Sequence, residues 1–95
     1  MKSIIKGVEH ELNLKEQIAD SVSEVLNKNP EEMRRMSGDE LLNIVGMDSI
    51  NCMEIVVSIE EKFSVVFNDD ELLIDNLNTI NKLCAIVEKK LKQVV

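Results

Sequence analysis

Apolar residues in this chain recur at helical spacing in three stretches, with polar and charged residues between them. The most regular runs from Ile50 to Phe63. At 100° per residue, Cys52, Ile55, Val56, Ile59 and Phe63 share one face, the stripe of a helix packed on a core. A second, narrower strip holds Ile50, Met53 and Val57, edged by Glu54, Glu60 and Glu61. Gly46-Met47-Asp48 reads as the turn before this helix, and Asp48 is placed to cap it.

An earlier helix begins near Asn13, with Glu16 three residues on in a capping-box pattern. Its stripe is Leu14, Ile18, Val22 and Val25, flanked by Leu12, Ala19 and Leu26. Asn27-Lys28-Asn29-Pro30 ends it, since a proline disfavours helix at the residue before it. Glu31 to Met47 then reads as a long connection interrupted by Ser37-Gly38, with one helical turn at Asp39-Glu40-Leu41-Leu42. Its apolar residues, Met33, Met36, Leu41, Leu42, Ile44 and Val45, are expected on the core. Ser64-Val65-Val66-Phe67 has no second strand to pair with and reads as an extended connector anchored by Phe67. Asn68-Asp69-Asp70-Glu71 caps a short helix reaching about Ile74. Thr79 caps the last, about 80–93, whose stripe is Ile80, Leu83, Cys84, Val87 and Leu91. The prediction is an all-α small four-helix bundle, three main helices plus a short third one, with a long loop between helices 1 and 2. The domain spans 13–93. Residues 1–12 form an N-terminal extension, which Gly7 weakens as helix.

Composition narrows the function classes. With 95 residues the chain is one small domain whose core holds only two aromatics, Phe63 and Phe67. The net charge of −7 is concentrated, because residues 36–78 carry ten acids against Lys62 alone. Such a middle opposes nucleic acid and anionic lipid, and favours partners with basic docking patches. Cys52 and Cys84 lack metal-ligand spacing and read as small hydrophobes in a reducing, cytoplasmic setting. There is no 18-residue apolar run and no signal-peptide pattern.

Candidate chemistry converges on Ser49. A serine at a helix start sits where N–H groups and the macrodipole favour a phosphate. Read from Asp48-Ser49-Ile50 alone, it is merely the first helical residue after a cap. A serine-hydrolase reading fails because His10 is the only histidine and no G-x-S-x-G elbow exists. A calcium loop over Asn68–Thr79 lacks the glycine needed at Leu73. The strip Met53–Val57 is either an outward docking face or core against a helix from residues 3–12.

Gly46-Met47-Asp48-Ser49-Ile50, then Met53-Glu54-Ile55-Val56 and Ile59-Glu60-Glu61-Lys62-Phe63, resemble the acyl carrier and peptidyl carrier protein superfamily. The resemblance extends from about Asn13 to Leu91. It implies a 4′-phosphopantetheine arm on Ser49, transferred from coenzyme A by a phosphopantetheinyl transferase, with Asp48 capping the helix and contacting that enzyme. It implies a carrier and no catalysis: cargo rides as a thioester at raised effective concentration near partner active sites. Ile50, Met53, Glu54, Val57, Glu60 and Glu61 would face the partners, which are the transferase, a loading enzyme and downstream synthases. Cys52, Ile55, Ile59 and Phe63 would border an acyl cavity. The expected role is an acyl carrier, monomeric and without metal, in fatty-acid or polyketide-type synthesis. An aminoacyl or D-alanyl carrier is the alternative, since Asp75 to Lys82 is similar to D-alanyl carriers, and a non-covalent helical adaptor is a third reading. Departures from the family pattern are Ile50 for leucine, Asn51 for an acid, Ile44 for aspartate, and a longer 72–78 segment and N-terminus.

Overall fold

The computed structural model describes residues 14–93, so Asn13 and the N-terminal extension lie outside the described residues. Five α-helices and two 3₁₀ turns follow one another: α1 (Leu14–Leu26), α2 (Pro30–Arg35), a 3₁₀ turn (Leu42–Val45), α3 (Ser49–Phe63), a second 3₁₀ turn (Asp69–Glu71), α4 (Ile74–Leu77) and α5 (Ile80–Gln93). The fold is an all-α bundle, with no strand among the described residues. Helix α1 packs against α2, α3 and α5, and α4 bridges α3 and α5.

The core is aliphatic. Ile18 and Val22 of α1, Ile55 and Ile59 of α3, and Ile80, Leu83 and Val87 of α5 are fully buried, as the periodicity predicts. Val25, Cys84 and Leu91 sit half-buried at the margin of these stripes. The connector after α3 is extended, with Val65 and Phe67 buried and Val66 turned out. Thr79 Oγ1 accepts from the Lys82 N–H at 3.1 Å, the expected cap of α5.

Three local readings change. Pro30 does not merely stop α1; it opens α2 as its first residue, a position that needs no N–H. Asn29 caps it, its side chain accepting from the N–H groups of Glu31 and Glu32. Arg34 then grips Asp20 with a two-pronged ion pair of 3.0 and 2.9 Å, holding α2 against α1. The helical turn expected at 39–42 forms instead at Leu42–Val45, and of the six apolar residues expected on the core only Met33 and Leu42 are fully buried, with Met36 and Val45 half-buried. Leu41 and Ile44 face outward. Finally, the cap at Asn68 closes a single 3₁₀ turn, where Glu71 reaches back to the Asn68 N–H, and Ile74 starts a separate helix.

The connection before α3 is pinned to α5. Gly38 is buried against Asn81, so close that a Cβ on residue 38 would collide with the Asn81 amide. Asn81 donates from its backbone to Gly38 O at 3.0 Å and from Nδ2 to Asp39 Oδ1 at 2.8 Å. Leu42 N–H donates to Asn78 O at 2.9 Å. These ties fix where α3 begins.

Candidate functional site

The approach to Ser49 is built by backbone geometry. The 3₁₀ turn Leu42–Val45 ends at Gly46 with φ 106°, a left-handed conformation that costs a side-chain-bearing residue strain. Space is not the reason for glycine here, since a Cβ would meet nothing within 4 Å. Met47 N–H donates to Leu42 O at 3.1 Å, and the Met47 side chain is buried. The turn is therefore nailed to the core one residue before the cap.

Asp48 caps α3 as the sequence predicts, its Oδ1 accepting from the N–H groups of Ile50 and Asn51, each at 2.9 Å. Asn51 completes the capping box by accepting from Asp48 N–H through Oδ1 at 2.7 Å. Its Nδ2 also donates to Gly46 O at 2.9 Å. The helix cap thus belongs to Asp48 and Asn51, and Ser49 stands exposed as the first residue of α3.

This alters the electrostatic expectation in one respect. Two of the first-turn N–H groups that were to receive a phosphate are occupied by Asp48. What remains for an anion on Ser49 is the field of the fifteen-residue helix, shared with the Asp48 carboxylate. An anion there stands out in solvent, on an exposed hydroxyl. A flexible phosphodiester tether fits that setting, because nothing about it requires burial.

The outer strip is placed as the periodicity indicates. Ile50 is 76% exposed, Val57 51% and Met53 38%, with Glu54 and Glu61 exposed beside them. Glu60 differs from its acidic neighbours. It is half-buried, and its Oε2 accepts from the Phe67 N–H at 2.8 Å, so it ties α3 to the connector. On the inner side Cys52, Ile55, Ile59 and Phe63 are buried in the aliphatic core. Burial, and secondarily Asp48, pushes the Cys52 thiol pKa up, which suits packing rather than nucleophilic attack. Open clefts of about 300 Å³ beside Lys82 and Ile86, and about 230 Å³ beside Ala19 and Met33, border neither Ser49 nor the inner face of α3.

Asn51 and Glu60 are where reasoning from sequence was incomplete. Asn51 at the third position of α3 after an aspartate cap is a capping-box signal, readable in principle. The Glu60 tie spans seven residues to a connector and leaves no local signature.

Among the described residues no three His, Cys, Asp or Glu side chains gather as a metal site. No described helix is long and apolar enough to cross a membrane. The all-α scaffold thus presents Ser49 exposed after a turn anchored by Met47, with the helix cap supplied by Asp48 and Asn51. The family described as "Phosphopantetheine attachment site" matches residues 16–87, and the chain belongs to it. Its cofactor is therefore covalent 4′-phosphopantetheine, whose thiol supplies the thioester chemistry, and the protein is a carrier and not an enzyme. An acyl carrier protein of Wolinella succinogenes is 32% identical over 71 residues, 75% of this chain and 88% of that protein. An acyl carrier protein homolog of Mycoplasmopsis pulmonis is 30% identical over 58 residues, 61% of this chain and 77% of that one. An acyl carrier protein of Buchnera aphidicola is 26% identical over 81 residues, 85% of this chain and 98% of its own length.

Proposed function

We propose that this protein is an acyl carrier that holds acyl intermediates as thioesters on a phosphopantetheine arm at Ser49, in fatty-acid or polyketide-type biosynthesis. The observation that supports Ser49 is its exposure at the start of α3 while Asp48 and Asn51 perform the capping. Relatives named acyl carrier protein support an acyl cargo. The chain works with a phosphopantetheinyl transferase and with biosynthetic enzymes.

Ile50, Met53 and Val57 are an apolar strip for those partners, with Glu54 and Glu61 as an acidic rim that steers basic docking patches. Asp48 stands next to the modified hydroxyl, where the transferase must also make contact. Cys52, Ile55, Ile59 and Phe63 are the side of the core that parts to shelter an acyl chain, and aliphatic packing of this kind shifts more readily than stacked rings. The protein acts as a cytoplasmic monomer.

Intact-mass measurement after incubation with coenzyme A and a broad-specificity transferase tests the reading. One phosphopantetheine should be gained by the wild type and none by Ser49→Ala. A gain that survives Ser49→Ala, or no gain by the wild type, overturns it.

A further inference from the structure

We infer that Asn51 is a positioning residue for loading: its side-chain amide clamps the turn Gly46–Asp48 to the first turn of α3 and so holds Ser49 in place. The inference rests on Ser49 as the attachment site. Its structural basis is separate.

One side chain makes two bonds of opposite sense. Asn51 Oδ1 accepts from Asp48 N–H at 2.7 Å, and Nδ2 donates to Gly46 O at 2.9 Å. Asp48 answers with Oδ1 on the N–H groups of Ile50 and Asn51. Together these close a loop of hydrogen bonds around Met47 and Ser49, from a left-handed glycine to the third helical residue. Every other polar tie at this corner comes from the backbone, such as Met47 N–H to Leu42 O and Cys52 N–H to Asp48 O.

An amide alone satisfies both ends. Aspartate at position 51 retains the acceptor for Asp48 N–H but has no donor for Gly46 O, and it sets a second carboxylate beside Asp48 and the incoming phosphate. Glutamine has both functions on a stem one carbon too long for the same ring. Alanine removes both bonds and leaves the Gly46 carbonyl and Asp48 N–H to water.

The consequence falls on the transfer step. There Ser49 Oγ forms the ester bond to the pantetheine-side phosphorus of coenzyme A. The pyrophosphate link breaks, adenosine 3′,5′-bisphosphate leaves, and the hydroxyl proton passes to the transferase. A nucleophile held on a stiff turn meets the phosphorus already oriented, while one on a loose turn must be ordered in each encounter.

The test uses the full chain, apo, as wild type, Asn51→Ala and Asn51→Asp. Amide exchange by NMR, without transferase, should show the Asp48 N–H exchanging about tenfold faster in Asn51→Ala, the scale of one lost hydrogen bond, and near wild type in Asn51→Asp. Loading from coenzyme A, measured well below the thermal midpoint and followed by intact mass, should lose about tenfold in kcat/KM in Asn51→Ala, while that midpoint falls by roughly 4–8 °C per kcal/mol of lost hydrogen bonding. In Asn51→Asp the loss should be smaller in kcat than in KM, since the cap is kept while charge is added. Unchanged Asp48 exchange in Asn51→Ala overturns the clamp. Wild-type loading kinetics in Asn51→Ala overturn the positioning role alone. A wild type that gains no mass overturns the Ser49 reading and this role together.

Discussion

Lys90 of α5 reaches Glu71 of the second 3₁₀ turn, Nζ to Oε1 at 2.7 Å, with the two side chains only 10% and 17% exposed. The same ammonium lies 5.8 Å from the centre of the Phe67 ring, so one cation fastens the acidic turn and the connector's anchor to the last helix. Burial works to raise the Glu71 pKa, but the Lys90 hydrogen bond, the Asn68 N–H and the charges of Lys90 and Lys89 outweigh it and hold it low. A carboxylate held low stabilises the fold above the usual carboxylate range, and that contribution fades as pH falls through its folded pKa. Lys90→Met, which keeps the stem over Phe67, should cost about 1 kcal/mol at neutral pH, or a fall of roughly 4–8 °C in melting temperature. The gap from wild type should shrink on acidification below about pH 4. Calorimetry across that range checks both.

The Gly38–Asn81 contact predicts a non-additive pair. Gly38→Ala should destabilise by about 1–3 kcal/mol in urea unfolding, because the new methyl displaces an amide that also holds Asp39. Asn81→Ala removes that amide and costs about 1 kcal/mol for its lost hydrogen bond. The double variant should cost clearly less than the sum, with a coupling on the order of 1 kcal/mol.

On the outer strip, folding and docking should separate. Met53→Ala and Glu54→Lys alter exposed side chains, so their melting temperatures should stay within a degree or two of wild type. Their affinity for a basic-patched synthase or transferase, read by calorimetric titration, should fall at least severalfold, and the Glu54→Lys loss should shrink in high salt.

The cysteines supply an alkaline test. Burial, aided by Glu88 and opposed by Lys15, pushes the Cys84 thiol pKa up to about 11. A thiol raised on folding stabilises while protonated, fully below its ordinary value near 9.0, and that part is lost as pH climbs to about 11. Cys84→Ala should flatten the decline of melting temperature over that interval. At about pH 8 both cysteines should alkylate slowly with iodoacetamide, whereas the pantetheine thiol of the loaded protein should react fast.

Helix α3 and its two faces were readable because Asp48, Ser49 and the apolar period agree on one start and one orientation. The same holds for Thr79 and α5. Pro30 was misleading for a physical reason: a missing N–H forbids the middle of a helix and suits its first residue, and only the Asn29 cap tells these apart. The shift of a turn from 39–42 to Leu42–Val45 has another cause. Gly38 is held by Asn81, some forty residues away in the chain, and local propensity carries no record of that contact. At the site, Ser49 and Asp48 stood out, while the role of Asn51 depends on where the Gly46 carbonyl points.

Glu60 has one carboxylate oxygen on the amide of Phe67, and Phe67 is buried in the core beneath the connector. A carboxylate that already accepts an internal amide through Oε2 and is half-buried offers a basic partner less than the exposed Glu54 and Glu61 beside it. The glutamate that the charge pattern assigns to the rim is thus a strap between α3 and the connector, and its loss is felt first in how Phe67 is held.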